Sequence, residues 1–175
     1  TSPADAVPQG VWQIDASSQI TQQGGAKIKS GTLTSIQKLI GEDSQYENEF
    51  ANGIMTHTFL DVQDYHRFHF PVSGTIKEVR NIAEQDAVGG IITWDPAIQR
   101  YMFDPTVPGW QSIETRGCVI IETKDFGLVA ILPIGMSQIC SVKFENNIVP
   151  GTYVKKGDML GCFLFGGSDI VMIFQ

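Results

Sequence analysis

Apolar positions come in short runs, rich in β-branched and aromatic residues and separated by Gly, Pro, Asn and Asp. Runs of this length and chemistry predict strands. Val7 to Ile14 reads as one strand, punctuated by Pro8 and Gly10, and Lys27 to Lys29 as a short one. Ile54 to Leu60, Gly74 to Val79, Leu128 to Ile134 and Ile139 to Phe144 are further strands, and Trp110 to Thr123 alternates as a strand pair. Phe163 to Phe165 closes one strand and Ile170 to Phe174 forms the last, with Gly166, Gly167 and Ser168 between them. Two stretches depart from this pattern. Ile36, Leu39 and Ile40 stand at helical spacing and stop at Gly41, which predicts a short helix over Thr34 to Ile40. Ser44 to Asn52 reads as a further pair of helical turns. Ser17 to Gly25 is a polar loop, and Asp61 to Pro71 is a compact turn into an extended segment. Asn81 to Pro108 is rich in Asp, Gly and Pro and reads as irregular; Val154 to Asp158 has the chemistry of a hairpin turn. The expectation is a mainly β fold with a few short helices (α+β), one compact domain over residues 1–175, without repeats.

Composition narrows the function. With 42% hydrophobic residues in 175, the chain can bury one sizeable core. A formal charge of −7 weighs against nucleic acid as a partner and gives no attraction to an anionic membrane surface. No apolar run approaches the roughly 20 residues that span a bilayer. No signal peptide is visible at the start, and the opening on Thr1 without Met leads us to expect a missing upstream segment, with any anchor it carried. Location is therefore expected to be cytoplasmic or peripheral at a membrane. Cys118, Cys140 and Cys162 lie in apolar stretches without ligand spacing and read as small core residues in a reducing compartment.

Few residues can carry chemistry. Gly166-Gly167 permits a deformed, closely approached peptide bond, and the hydroxyl of Ser168 follows that bond directly. The plain reading is a tight turn between core strands. The alternative is a chain that cuts itself between 167 and 168. A serine needs a base, and the base an orienting group. His66 and His69 lie three residues apart, and Asp5 follows Pro3 at the start of the first strand. A metal site recruiting His57 beside His66 and His69 lacks a carboxylate at ligand spacing, so no metal is expected.

Four ordered segments carry a resemblance. They are Ser2-Pro3-Ala4-Asp5, with Ile28-Lys29-Ser30-Gly31 and Leu39-Ile40-Gly41 after it; Asp64-Tyr65-His66-Arg67-Phe68-His69-Phe70-Pro71-Val72-Ser73-Gly74; Leu132-Pro133-Ile134-Gly135-Met136; and Lys156-Gly157-Asp158-Met159-Leu160-Gly161-Cys162-Phe163-Leu164-Phe165-Gly166-Gly167-Ser168. In this order the chain resembles the phosphatidylserine decarboxylase family of pyruvoyl-dependent enzymes. The resemblance implies a zymogen. Asp5 orients His69, His69 takes the Ser168 proton, and the oxygen attacks the Gly167 carbonyl. The ester then eliminates, leaving a β subunit, 1–167, and an α subunit that begins with a pyruvoyl group derived from Ser168. That ketone takes up a substrate amine and draws electrons as CO₂ leaves, and the resemblance gives His66 the return of a proton to carbon. The family usually has Thr or Ser after the cleavage serine, where this chain has Asp169, and often Gly where it has Ala6.

The implied substrate is phosphatidylserine, decarboxylated to phosphatidylethanolamine with peripheral membrane contact. A soluble branch of the family takes free amino acids, including tryptophan. A non-enzymatic β-rich binding domain is the reading from another class, and it leaves the chain whole. An extensive β edge further predicts a homodimer.

Overall fold

The computed structural model describes residues 1–20, 26–28, 31–33, 35–61, 63–83, 91–104, 114–135, 141–164 and 168–175. The strands are Val7–Gln13 (β1), Ala26–Ile28 (β2), Gly31–Leu33 (β3), Ile54–Leu60 (β4), Arg67–His69 (β5), Gly74–Ile82 (β6), Ile91–Asp95 (β7) and Arg100–Asp104 (β8). They continue with Arg116–Thr123 (β9), Gly127–Gly135 (β10), Val142–Phe144 (β11), Tyr153–Val154 (β12), Met159–Phe163 (β13) and Ser168–Phe174 (β14). Among the described residues one helix, Ile36–Ile40 (α1), interrupts them.

A seven-stranded antiparallel sheet runs in the order β1-β4-β14-β10-β9-β6-β12, and a three-stranded sheet in the order β11-β13-β5. β2–β3 and β7–β8 are separate hairpins. The large sheet is covered on both faces, which is why β9, β10 and β14 read as nearly continuous apolar runs rather than alternating ones. On one face, Met55, Val171, Ile173, Leu132 and Ile120 pack with Trp12, Phe50 and the α1 residues Ile36, Leu39 and Ile40. On the other, Leu60, Ile170, Ile131, Val119 and Ile76 pack with Phe68, Leu160 and Phe163 of the small sheet. The small sheet is thus a lid on the second face.

Helix α1 is short and depends on its ends. Ser35 Oγ accepts from Lys38 N at 3.3 Å as the N-cap. At the other end Arg116, buried in the sheet, donates to the carbonyls of Leu39 (2.7 Å) and Lys38 (2.8 Å), and Arg80 donates to that of Ile40. Cys118 lies wholly buried in β9, where burial pushes its thiol up to about 12, so it is an inert core residue as expected. Cys162 is half-buried, and Cys140 lies outside the described residues.

Several expectations need correction. The 81–108 stretch contains the hairpin β7–β8, whose turn carries Gln99 at φ 52°. Its strands are only five residues each, rich in β-branched and aromatic side chains, and the Asp, Gly and Pro around them outweighed that signal. Ser44 to Asn52 forms successive turns without a helix. Of the stretch 110–123, the described residues 114–123 hold the strand β9, and residues 110–113, where the other half of the expected strand pair would begin, lie outside the described set. Residues 155–158 do turn tightly, with Asp158 N donating to Lys155 O at 3.0 Å and Gly157 at φ +91°. They do not join a hairpin, because β12 pairs with β6 and β13 with β5. Among the described residues no helix is long and apolar enough to cross a membrane.

The small sheet has one close internal approach. A Cβ at Gly161 would run into the Lys143 carbonyl oxygen and the Phe68 ring. Gly161→Ala is therefore expected to destabilise by about 3 kcal/mol, since neither backbone nor a packed ring can yield cheaply. Chemical denaturation measures it, and a change under about 0.5 kcal/mol would show that the two strands separate easily.

Candidate active site

The corner where the two sheets meet gathers most of the predicted residues. β4 ends at Leu60, and residues 61–66 carry the chain to β5. That connection is a closed turn: Asp64 N donates to Asp61 O at 2.9 Å, and Asp61 N to Asp64 Oδ2 at 2.8 Å. The turn aims His66. Its Nδ1 lies 2.6 Å from the Asp64 carbonyl oxygen, and its ring meets Phe163 edge-on. A carbonyl only accepts, so Nδ1 carries the proton and Nε2 is the basic nitrogen. Phe163 N donates to the His66 carbonyl at 2.9 Å, which ties this turn to the end of β13.

His69 is held the same way. Its Nδ1 lies 3.1 Å from the Gly157 carbonyl, and the Tyr65 ring stacks on it at 6.4 Å. Gly157 can present that carbonyl because its left-handed φ suits the turn. Again Nε2 is left as the base. The His69 amide donates to Pro3 O at 2.7 Å, which draws the Ser2–Asp5 segment to the same strand. Asp5 itself is exposed, and no hydrogen bond joins its carboxylate to His69.

Ser168 is the first residue of β14, placed between Leu60 of β4 and Gly135 of β10. It is 0% exposed, and its Oγ has no hydrogen-bond partner among the described residues. Strand alternation puts its side chain on the face of Leu60 and Ile170, the face covered by the sheet that carries His66 and His69. A buried hydroxyl without a partner costs about 1–3 kcal/mol, so a stable fold retains one only for a reason. Gly166 and Gly167 lie outside the described residues. The structure thus brings Asp5, His66 and His69 to one corner and turns Ser168 towards the same layer, without a hydrogen bond from Ser168 Oγ to either ring.

One pair escaped the reading of the sequence. His57 of β4 and Asp169 of β14 are both buried on the opposite sheet face, with Nε2 and Oδ1 3.2 Å apart. The separation is that of an ion pair, without the alignment of a hydrogen bond. The available signal was one ionisable residue in each of two strands, yet pairing them requires the register, Val171 opposite His57 and Phe59 opposite Asp169.

A family model described as phosphatidylserine decarboxylase matches residues 1–175. The chain belongs to the phosphatidylserine decarboxylase family. It is 34% identical over 141 residues to the phosphatidylserine decarboxylase proenzyme of Chlamydia trachomatis (serovar L2), an overlap that covers 81% of this chain and 42% of that protein. With phosphatidylserine decarboxylase proenzyme 2 of Oryza sativa it shares 34% over 145 residues, 83% of this chain and 21% of that one. With the L-tryptophan decarboxylase of Psilocybe cubensis it shares 31% over 152 residues, 83% and 34%. The chain therefore spans less than half the length of these relatives. A buried serine hydroxyl and an imidazole with a free basic nitrogen are chemically able to act as nucleophile and base.

Proposed function

We propose that this chain is the catalytic region of a pyruvoyl-dependent decarboxylase that opens its own bond between Gly167 and Ser168 and acts on phosphatidylserine. The observation that supports it most is the Ser168 hydroxyl, buried and unbonded, on the sheet face shared with the His66 and His69 strand. His69 Nε2 removes the Oγ proton, and Asp5 contributes negative charge beside it. The oxygen attacks the Gly167 carbonyl and the acyl group moves from nitrogen to oxygen. Loss of the Ser168 α-proton then expels the Gly167 carboxylate. The dehydroalanine left at 168 hydrolyses, releasing ammonia, to a pyruvoyl group.

That group would be held by the pairing of β14 with β4 and β10, and it supplies an electron sink for decarboxylation. Fit is favoured because residue 168 is enclosed, with no polar neighbour bonded to its side chain to compete. Around it, His66 takes up a proton on Nε2 and delivers it, and Phe163 and Leu60 exclude water. Tyr65 and Leu164, 51% and 56% exposed beside this corner, give an apolar rim suited to a lipid surface. The likeness to an L-tryptophan decarboxylase favours a free aromatic amino acid as a second reading. Exposed Val7 and Val11 on edge strand β1 favour pairing with a second copy.

Intact mass spectrometry tests the reading. The purified chain is expected as a piece ending at Gly167 and another starting at a residue 168 without a free amine. Product assays with phosphatidylserine vesicles and with free tryptophan then separate the two substrates. A chain that keeps its full mass after long incubation and releases no CO₂ from either would sink the proposal.

A further inference from the structure

The His57–Asp169 pair has no part in the chemistry above, yet it adjoins the reacting residue. Asp169 is bonded directly to Ser168, and its carboxylate is wholly buried. Two features make this costly. A carboxylate in an apolar sheet is unfavourable unless positive charge faces it. The attack of Ser168 also places negative charge on the neighbouring carbonyl oxygen, which an adjacent unscreened carboxylate opposes. His57 stands where it can answer both, 3.2 Å from Oδ1 and itself buried. With a proton on Nε2, the ring puts its positive edge against the carboxylate. Arg116 and Arg80 are further cations of this face; Arg116 pairs with Ile134, which pairs with Asp169. The Arg116 guanidinium donates to the carbonyls of Lys38, Leu39 and Glu114.

The geometry points to His57 as a positioning residue for self-cleavage: it holds the Asp169 carboxylate on the sheet face away from Ser168 and screens its charge, so that this chain tolerates an acid next to the bond it opens. The inference rests on the self-cleavage reading and names a further residue for it. Buried ion pairs give little net stability compared with apolar residues of the same volume, so stability alone does not explain this one.

The test follows the opening of the full chain after synthesis at low temperature, by the rate at which the two pieces appear per folded molecule. His57→Gln keeps a polar donor and removes the imidazole; opening is expected to slow about tenfold or more. His57→Gln combined with Asp169→Asn removes the charge that needed screening, and the rate should return to within about threefold of wild type. A purely structural role lowers the melting temperature and leaves the rate per folded molecule unchanged. Should His57→Gln fail to fold, Asp169→Asn alone decides: the inference requires it to open at least as fast as wild type, and a slower rate overturns it. His57→Gln opening at the wild-type rate, or no recovery in the double variant, overturns it equally. A wild-type chain that never opens sinks the decarboxylase reading, and this inference with it; wild type that opens no faster than His57→Gln sinks this inference alone.

Discussion

Ser168→Ala leaves one chain of full mass and no decarboxylation above background, a loss of about 10⁶-fold or more. The substitution removes both the attacking oxygen and the atom from which the carbonyl group would form, so no slower route remains. It should fold at least as well as wild type. Ser168 Oγ is buried and unbonded, so Ala takes an unsatisfied hydroxyl out of the core and is expected to stabilise by about 1 kcal/mol. That combination, lost chemistry with undiminished stability, distinguishes a reacting serine from a serine that merely packs. Mass spectrometry, an activity assay and chemical denaturation on the same sample check it. Residual turnover in the variant would show that the reactive group lies elsewhere.

The two histidines should fail differently. His69→Ala is expected to slow opening of the 167–168 bond by about 10³-fold, the usual loss when a nucleophile's base is removed. His66→Ala should open normally and then lose about 10²- to 10⁴-fold in turnover, because the missing proton donor matters only once substrate is bound. The fold makes both predictions clean, since each ring hangs on a backbone carbonyl: Asp64 for His66, Gly157 for His69. Ala therefore leaves one carbonyl to water at a partly exposed site and does not empty a core cavity. The rate of opening and the turnover of opened enzyme, measured separately, decide it. Equal effects of both substitutions on opening would end the division of roles.

How much of this was legible beforehand depended on which forces act locally. β4 was read from Ile54 to Leu60 and found there, because an apolar run bounded by Gly53 and Asp61 has little alternative to a strand. Ile36, Leu39, Ile40 and Gly41 predict α1, which begins at Ile36, two residues later than the expected Thr34 and directly after its Ser35 cap. The β7–β8 hairpin carries strand formers in Ile91, Ile92, Trp94, Tyr101 and Phe103, but they are set in an Asp-, Gly- and Pro-rich stretch that reads as irregular. The turn at 155–158 was recognised as a turn, but its flanks pair with β6 and β5, partners far away in sequence that no local pattern names. The site divides along the same line. His66, His69 and Ser168 stood out by residue type and by resemblance. The anchoring of both rings by carbonyls, and the pairing of His57 with Asp169, are products of register and became visible only with the sheets assembled.

β14 lies in the middle of the large sheet, bonded along its length to β10 on one side and β4 on the other. Severing the chain just before it turns folding from a one-body into a two-body problem. The unsevered chain regains its sheet at a rate independent of concentration. The severed one, once denatured, must recapture a detached central strand by collision, against the tendency of exposed β4 and β10 edges to find each other first. The cut that arms the molecule would thus also commit it: each copy lasts as long as its first folding lasts.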